Sequence, residues 1–161
     1  MAKKNLYALQ RNFSRFAQEI RYFVGRDVAI ALFERIVMAW DFPVDSGKLI
    51  SSGYLYYEGR LIKRSKDLVA GMSRVDRPLK RPPRKAHTIT VIFTARRPVG
   101  PNAHVYFMHG GRRQFDYAYI VHEGSTNAKI RPQPYVSKHM RSAIVAELLR
   151  RRTQEAWSKT M

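Results

Sequence analysis

Apolar residues near the N-terminus recur at alternating spacings of three and four, and this pattern constrains the fold more than any other feature of the sequence. The residues are Leu6, Leu9, Phe13, Phe16, Ile20 and Phe23. Such spacing places side chains on one face of an α-helix. The pattern resumes after Gly25, a weak point, and continues through Trp40 to a stop before Pro43. We therefore predict a helix of about 35 residues, which at about 1.5 Å per residue is longer than a small domain is wide.

The apolar face of this helix has two candidate partners. One is the core of the same chain, and the other is a neighbouring subunit that packs on the part of the helix that projects. Both interpretations fit the spacing, so the six apolar residues are candidate core residues and candidate subunit-interface residues at once.

Shorter elements follow the helix. A short helix is expected after residues 43–46, where Asp45 or Ser46 can cap it by accepting backbone N–H bonds. Aromatic residues 54–58 predict a strand. Residues 87–94 alternate in polarity and predict the clearest strand. Residues 104–108 are predicted to pair with it in a hairpin, through a turn at residues 98–102.

The C-terminal part of the chain is predicted to be mainly helical. Residues 117–122 form a short helix or strand, which Gly124 ends. Pro134 suits the first turn of a helix, and apolar residues at helical spacing continue to Ala156 or Trp157. The predicted fold class is therefore α+β: a long N-terminal helix, a small, mainly antiparallel sheet and a C-terminal helix.

The charge is strongly unbalanced, with 30 Lys and Arg against 12 Asp and Glu, a formal net charge of +18. Such an excess attracts polyanions. The excess is greatest in residues 63–86, which also contain Pro78, Pro82 and Pro83. The cations there are Lys63, Arg64, Lys66, Arg74, Arg77, Lys80, Arg81, Arg84 and Lys85. Prolines at this density interrupt helices and central strands, so we predict an extended basic loop or arm within a single domain of residues 1–161.

The basic loop has two interpretations. It is either a solvated loop that aids solubility, or a surface whose cations contact phosphate oxygens or an acidic protein partner. No DNA- or RNA-reading motif is present, so a nucleic-acid contact would be electrostatic and indifferent to sequence.

Several chemistries are excluded or disfavoured by the sequence. The chain has no cysteine, which excludes disulfides, thiolate zinc sites and thiol catalysis. No phosphate-binding glycine loop occurs. Asp116, His122 and Glu123 form the nearest carboxylate and imidazole cluster, but their spacing matches no zinc-site pattern. The N-terminus lacks the apolar stretch of a secretory signal, and no apolar run is long enough to span a membrane. We expect no catalytic residue, cofactor or metal, no contact with a membrane, and a place of assembly in the cytosol.

Two segments resemble the neck and tail-completion proteins of long-tailed bacteriophages. Residues 44–52, Val-Asp-Ser-Gly-Lys-Leu-Ile-Ser-Ser, are similar to that family's Val-Asp-Thr-Gly-x-Leu-x-x-Ser signature after a long helix. Residues 117–125, Tyr-Ala-Tyr-Ile-Val-His-Glu-Gly-Ser, followed by Pro134-Tyr135-Val136, are similar to Tyr-Ala-x-x-Val-Glu-x-Gly-Thr followed by Pro-Phe-Leu or Pro-Tyr-Leu. The chain departs from the family pattern at Ser46, His122, Glu123 and Ser125. The positions of this sequence that the two family motifs cover are Asp45, Ser46, Gly47, Leu49, Tyr117, Ala118, His122, Glu123, Gly124 and Pro134.

The resemblance implies a structural virion protein with no enzymatic activity. Such a protein forms a homo-oligomeric ring, six-fold or a multiple of six, in the neck around the DNA channel. Its partners are the head connector or adaptor protein, a tail terminator or tail tube protein, and packaged double-stranded DNA. It is assembled in the host cytoplasm and resides in the virion.

Two other functions remain open on the residues alone. One is a nonspecific nucleic-acid-binding protein of a cellular complex, which the basic loop favours. The other is a small metal-dependent nuclease that uses Asp116, His122 and Glu123.

Overall fold

The computed structural model describes residues 2–42, 47–70, 75–98, 107–109, 112–124 and 131–160. It contains a long N-terminal helix, a small three-stranded antiparallel sheet and a C-terminal helix, so the predicted α+β class is confirmed. Its internal contacts divide the chain into two compact units. The first unit comprises Met1–Leu32 and Met140–Met161, and the second comprises Phe33–His139.

The N-terminal helix is one continuous element with an irregular turn inside it. It runs through α1 (Ala2–Glu19), a π-helical turn (Ile20–Val24) and α2 (Gly25–Val37). Gly25 keeps helical angles, φ −62° and ψ −41°, so the irregularity lies just before the predicted weak point. The helix ends at Val37, earlier than the predicted Trp40. The amide of Ala39 reaches back only three residues, to the carbonyl of Ile36 at 3.4 Å, a spacing that tightens the chain out of α-helical geometry.

The sheet of the second unit has the strand order β2-β1-β3, with β1 (Gly53–Tyr57), β2 (Arg60–Arg64) and β3 (Ile89–Phe93) all antiparallel. The aromatic residues predicted as a strand therefore form its central strand. Glu58 and Gly59 form the turn between β1 and β2, with φ of 52° and 73°. Positive φ at both central residues suits a two-residue hairpin, because it matches the twist of the strands. A short helix, α3 (Lys48–Ser51), precedes β1.

The predicted hairpin between residues 87–94 and 104–108 is wrong. β3 pairs with β1, with Val91 opposite Leu55. A second sheet, ordered β4-β6-β5, contains β4 (Arg96–Pro98), β5 (Phe107–His109) and β6 (Arg112–Asp116). Phe107 and Met108 therefore pair with Gln114 and Arg113 of β6. Most of the predicted turn lies in residues 99–106, outside the described residues. Alternating polarity identifies a strand but does not choose its partner.

The core of the second unit is an aromatic cluster. Phe93 at the end of β3 contacts the rings of Phe33, Phe42 and Tyr135, with centroid distances of 6.3, 5.2 and 5.4 Å. Phe33 and Leu55 are fully buried beside it. Such rings are large apolar groups whose edge-to-face contacts add to their burial. This cluster joins the C-terminal end of the long helix to the sheet.

The last helix begins later than predicted. Residues 117–122 lie in a short helix, α4 (Tyr117–Glu123), but Pro134 does not start α5 (Ser142–Thr160). Instead, Ser137–His139 form a single 3₁₀ turn, and the amide of Tyr135 donates to the carbonyl of Gln133 at 2.7 Å. The side chain of Tyr135 is buried. The chain turns here to insert that ring into the core, and the helix starts only after the turn.

In the first unit, α5 packs on α1 and on the π-helical turn. The indole of Trp157 meets Phe16 and Phe13 edge-on, at centroid distances of 4.9 and 6.0 Å. The adjacent Ala156 is buried. These contacts give the apolar face of α1 a partner within its own chain at Phe13 and Phe16.

Candidate functional site

The basic region is structured where it begins. Lys63 and Arg64 lie in β2, and Ser65–Asp67 form a 3₁₀ turn, so the loop predicted over residues 63–86 starts later than expected. Lys63 donates to Glu34 Oε1 at 2.5 Å, which leaves its charge paired. Ser65 is buried and accepts the amide of Gly53 at 2.7 Å. A serine hydroxyl that satisfies a buried backbone donor fixes the end of β2 to the start of β1.

The irregular segment of residues 75–88, called here the 75–88 segment, is held at its N-terminal end by Asp76. One carboxylate oxygen of Asp76 accepts the amide of Arg96 at 2.8 Å and lies 3.0 Å from Lys48 Nζ. Lys48 Nζ also donates to the carbonyl of Arg96 at 2.5 Å. Tyr54 Oη donates to the carbonyl of Asp76 at 2.8 Å. Asp76 therefore joins α3, β1 and β4 at one point.

Arg96 adds a second attachment beside Asp76. Its side chain is buried, and its guanidinium donates a hydrogen bond to the carbonyl of Arg77. Its Nε is buried without a hydrogen-bond partner within the described part of the chain. The backbone of Arg77 is thus fixed by this hydrogen bond, and the side chain of Arg77 is exposed.

At its C-terminal end the 75–88 segment packs on the turn between β1 and β2. The amide of Glu58 donates to the carbonyl of Thr88 at 2.9 Å, and Glu58 Oε1 accepts the amide of His87 at 3.0 Å. A Cβ placed on Gly59 would lie 2.9 Å from the carbonyl oxygen of Pro83 and from Cα of Arg84. The backbone can approach this closely only because residue 59 has no side chain. The segment is held by contacts within the chain, at both ends.

A basic groove lies between the 75–88 segment and the sheet, with a volume of about 540 Å³. It is lined by Tyr54, Tyr56, Gly59, Arg60, Leu61, Arg64, Arg77, Pro78, Leu79, Arg81 and Arg84. Five of the described lining residues are arginines and none is acidic. All five arginines are exposed. Without a neighbouring carboxylate in the lining, their positive potential adds up within the groove.

The groove brings together only part of the predicted basic set. Arg64, Arg77, Arg81 and Arg84 line it, whereas Lys66, Lys80 and Lys85 are exposed elsewhere. Arg74 lies outside the described residues. Arg60 also lines the groove but lies outside the predicted basic loop, because the charge of residues 1–62 is close to balanced and does not mark it. The Glu58-Gly59 turn, which reverses the chain and makes residues 60–64 a strand, was the signal that could have found it.

The tyrosines beneath the groove are covered. Tyr54 and Tyr56 are 7% and 5% exposed. Burial raises the pKa of the Tyr54 phenol, although the nearby Arg64 and Arg77 act in the opposite direction. Tyr54 is therefore a neutral hydrogen-bond donor to the Asp76 carbonyl. Its ring supports the floor of the groove and is not offered to a ligand.

The first motif forms the helix that carries Lys48. Gly47 occupies the N-cap of α3 with φ 73°, and Leu49 is buried. The predicted capping residues, Asp45 and Ser46, lie outside the described residues. The amide of Thr94 donates to the carbonyl of Ser52 at 3.3 Å. The last residue of this motif, Ser52, is thus hydrogen-bonded to the residue that follows β3.

The second motif encloses Tyr135. The amide of Tyr117 donates to the carbonyl of Ala95 at 2.8 Å, and Ala118, which is buried, accepts the hydroxyl of Tyr135 at 3.1 Å. Gly124 has φ 80°, and a Cβ there would lie 2.8 Å from the ring of Pro132. Pro134, which precedes Tyr135, is exposed. The residues of the second motif therefore contribute to the packing of the chain around Tyr135.

His122 and Glu123 pair with each other. His122 Nδ1 lies 2.7 Å from Glu123 Oε1, and its Nε2 lies 3.4 Å from Ser137 Oγ. The imidazole also meets the ring of Tyr135 at a centroid distance of 5.3 Å. The side chain of Asp116, the third member of the predicted cluster, is outside the description. Within the described residues, no three metal-ligating side chains come together.

The predicted interface residues on the N-terminal helix are largely exposed. Leu6, Leu9, Phe13, Ile20 and Phe23 are each more than a third exposed, and Leu6 is 65% exposed. Trp157 contacts the rings of Phe13 and Phe16, at the edge contacts described above. An apolar helix face that remains open in a single chain is typical of a surface that packs on another molecule.

None of the helices in the described ranges combines the length and apolar character that a membrane span requires. No family model, curated protein or solved structure matches the chain.

Proposed function

We propose that the protein is a structural virion protein of a long-tailed bacteriophage. It forms a homo-oligomeric ring in the neck and joins the head connector to the tail around the DNA channel. In this role it needs no cofactor and catalyses no reaction. Its partners are copies of itself, the head connector or adaptor, the tail terminator or tail tube protein, and packaged double-stranded DNA. It resides in the virion after assembly in the host cytoplasm.

The observation that carries this proposal is that both motif segments meet on the same short stretch of chain. Thr94 bonds to Ser52 at the end of the first motif, and its neighbour Ala95 bonds to Tyr117 at the start of the second. Phe93, one residue earlier, packs against Tyr135. The two motif segments lie far apart in the sequence, and these contacts bring them together in the fold. Convergence is expected if the two segments form one structural signature of a family.

The open helix face supports the oligomeric part of the proposal. Leu6 and Leu9 are 65% and 46% exposed. Burial of such apolar residues favours association. A cyclic assembly would cover this face on every copy.

Peptide mass spectrometry on purified phage particles, normalised to the portal protein, tests the proposal. We expect an abundance equivalent to one ring per particle. Absence of the protein from particles would overturn the proposal.

Native mass spectrometry of the purified protein tests the interface. The variant Leu6→Ser/Leu9→Ser should lose the oligomer, because it places hydroxyl groups in the apolar contact. Met38→Ser, which changes an equally exposed apolar residue beyond the helix, is the matched control and should keep it. An oligomer that survives the double substitution would exclude this face as the interface.

A nonspecific nucleic-acid-binding protein of a cellular complex is the second candidate, and the basic groove favours it. The two candidates differ in location: the neck protein copurifies with particles at fixed stoichiometry, whereas the cellular protein stays with host nucleic acid.

A further inference from the structure

The basic groove has the chemistry of a phosphate-binding surface. Its described lining contains five arginines and no acidic residue. A guanidinium presents two parallel N–H donors to the oxygens of one phosphate, and it remains charged at any physiological pH. Arginine, rather than lysine, is the cation that the fold brings to this groove. The lysines of the same region lie outside it.

The arginines are spread along the groove. Arg60 and Arg64 stand at the two ends of β2, about 13 Å apart at about 3.3 Å per residue. Successive phosphates of one strand of a DNA duplex advance by about 3.4 Å along the axis, so this distance corresponds to about four phosphate steps measured along the axis. Arg77, Arg81 and Arg84 supply further cations from the opposite wall. An extended polyanion can use all of these groups, whereas a single small anion can use only one or two.

The groove offers no stacking surface for bases among its described residues. The rings of Tyr54 and Tyr56 are buried beneath it, and the hydroxyl of Tyr54 is occupied by the Asp76 carbonyl. Proteins that bind single-stranded bases stack them on exposed aromatic rings. Contacts in this groove would therefore go to phosphates and sugars, which carry no sequence information.

An acidic protein surface fits the groove less well. Protein interfaces are depleted of charge at their centre and are built on apolar anchors. The exposed apolar residues of the groove are Leu61 and Leu79, which share its lining with five arginines. This arrangement lacks an apolar centre, so the favourable energy would come almost entirely from charge.

We propose that the groove binds the phosphodiester backbone of DNA without regard to sequence, through Arg60, Arg64, Arg77, Arg81 and Arg84. This inference deepens the proposed function, because it names the partner of the groove. It rests on that function only in taking the DNA to be the duplex that passes through the ring.

The test measures binding of the full-length protein to a short random-sequence DNA duplex by fluorescence anisotropy over a range of salt concentrations. The groove variant is Arg60→Gln/Arg64→Gln/Arg81→Gln. The control is Lys66→Gln/Lys80→Gln/Lys85→Gln, which removes the same number of charges from exposed positions outside the groove. The slope of log K against log salt is negative, and each lost phosphate contact reduces its magnitude by about 0.9. We expect a decrease of about 2 to 3 for the groove variant and of less than about 1 for the control.

Equal losses in the two triple variants would overturn the proposal, because binding would then depend on total charge alone. Equally tight binding of polyglutamate, lost in the groove variant, would also overturn it in favour of an acidic protein partner. Circular dichroism establishes that each variant is folded. If the groove variant does not fold, Arg81→Gln alone gives the same test, with an expected slope decrease of about 1 against no change for Lys80→Gln.

Failure of this inference is distinguishable from failure of the proposed function. A protein that is present in particles at ring stoichiometry, but whose groove variant binds DNA normally, keeps its place in the neck and loses the DNA groove. A protein that is absent from particles, but whose groove variant loses DNA binding, keeps the groove and loses the neck.

Discussion

Lys48 and Asp76 form an ion pair, with 3.0 Å between Nζ and Oδ2, that connects the helix of the first motif to the segment that walls the basic groove. Both side chains are a little more than a quarter exposed. The pair is reinforced because both residues also hydrogen-bond to the backbone of Arg96. Lys48, a residue of the first motif, thus helps to fix the position of the 75–88 segment, although it does not line the basic groove.

Asp76→Ala should therefore lower both stability and DNA affinity. The substitution leaves the amide of Arg96 without its acceptor and removes the carboxylate partner of the Lys48 ammonium, which costs about 1 to 2 kcal/mol in free energy of unfolding. Urea denaturation measures this loss, and anisotropy measures the accompanying loss of affinity. Asp67→Ala is the control, since Asp67 is exposed in the same basic region. Similar behaviour of the two variants would contradict the assigned role of Asp76.

Gly59→Ala should destabilise the protein more than Gly47→Ala. Both glycines have φ 73°, so an alanine at either position is strained by about 1 to 2 kcal/mol. Only at Gly59 does the new Cβ also meet backbone atoms, at 2.9 Å, whereas nothing lies within 4 Å at Gly47. Displacement of the 75–88 segment should add at least about 1 kcal/mol and weaken DNA binding. Equal unfolding free energies for the two variants would argue against this contact.

Tyr135 should contribute mainly through its ring. Tyr135→Phe removes the hydroxyl that donates to Ala118, which should cost about 1 kcal/mol. Tyr135→Ala also empties a site in contact with Phe42 and Phe93, which should cost about 3 to 5 kcal/mol. Thermal and urea unfolding measure both values. Tyr7→Ala serves as the control at a position that is 70% exposed. A small loss for Tyr135→Ala would mean that the ring does not close the core.

Asp41 should make the free energy of unfolding depend on pH in the acid range. The Lys138 ammonium, which donates a hydrogen bond to Oδ2, lowers the pKa of Asp41 below its ordinary value of 3.8, against the opposing effect of burial. Because the pKa is lower in the folded state, the stabilisation is fully present above the unfolded pKa and is lost as the pH falls through the folded one.

Urea midpoints measured between about pH 5 and about pH 2.5 check this dependence. The wild-type protein should lose more stability over this interval than the Asp41→Asn variant does. An Asp41→Asn variant with the wild-type acid dependence would refute the assignment.

The sequence predicted correctly those helices and strands that a single local pattern of residues determines. The spacing of Leu6 to Phe23 predicted the long helix, and the alternation around Val91 predicted β3. The second sheet could not be predicted in the same way, because β4 and β6 contain Arg96, Arg97, Arg112 and Arg113 and have no apolar alternation. Strand pairing depends on contacts between distant segments, which a local pattern does not report.

The groove was predictable in charge but not in shape. The density of cations marked the region, whereas the selection of arginines over lysines depends on how the 75–88 segment is attached at Asp76 and at Gly59. The pairing of Lys63 with Glu34, which removes one cation from the set, joins residues on a helix and a strand that no spacing rule connects.

β2 stands at one end of its sheet, and three of its five residues are cations. An edge strand presents unpaired backbone groups to which another chain can add, and charged side chains discourage that addition. Arg60, Lys63 and Arg64 therefore also protect the protein against aggregation through this edge. A variant in which neutral residues replace these three cations should therefore aggregate at lower protein concentrations than the wild-type protein.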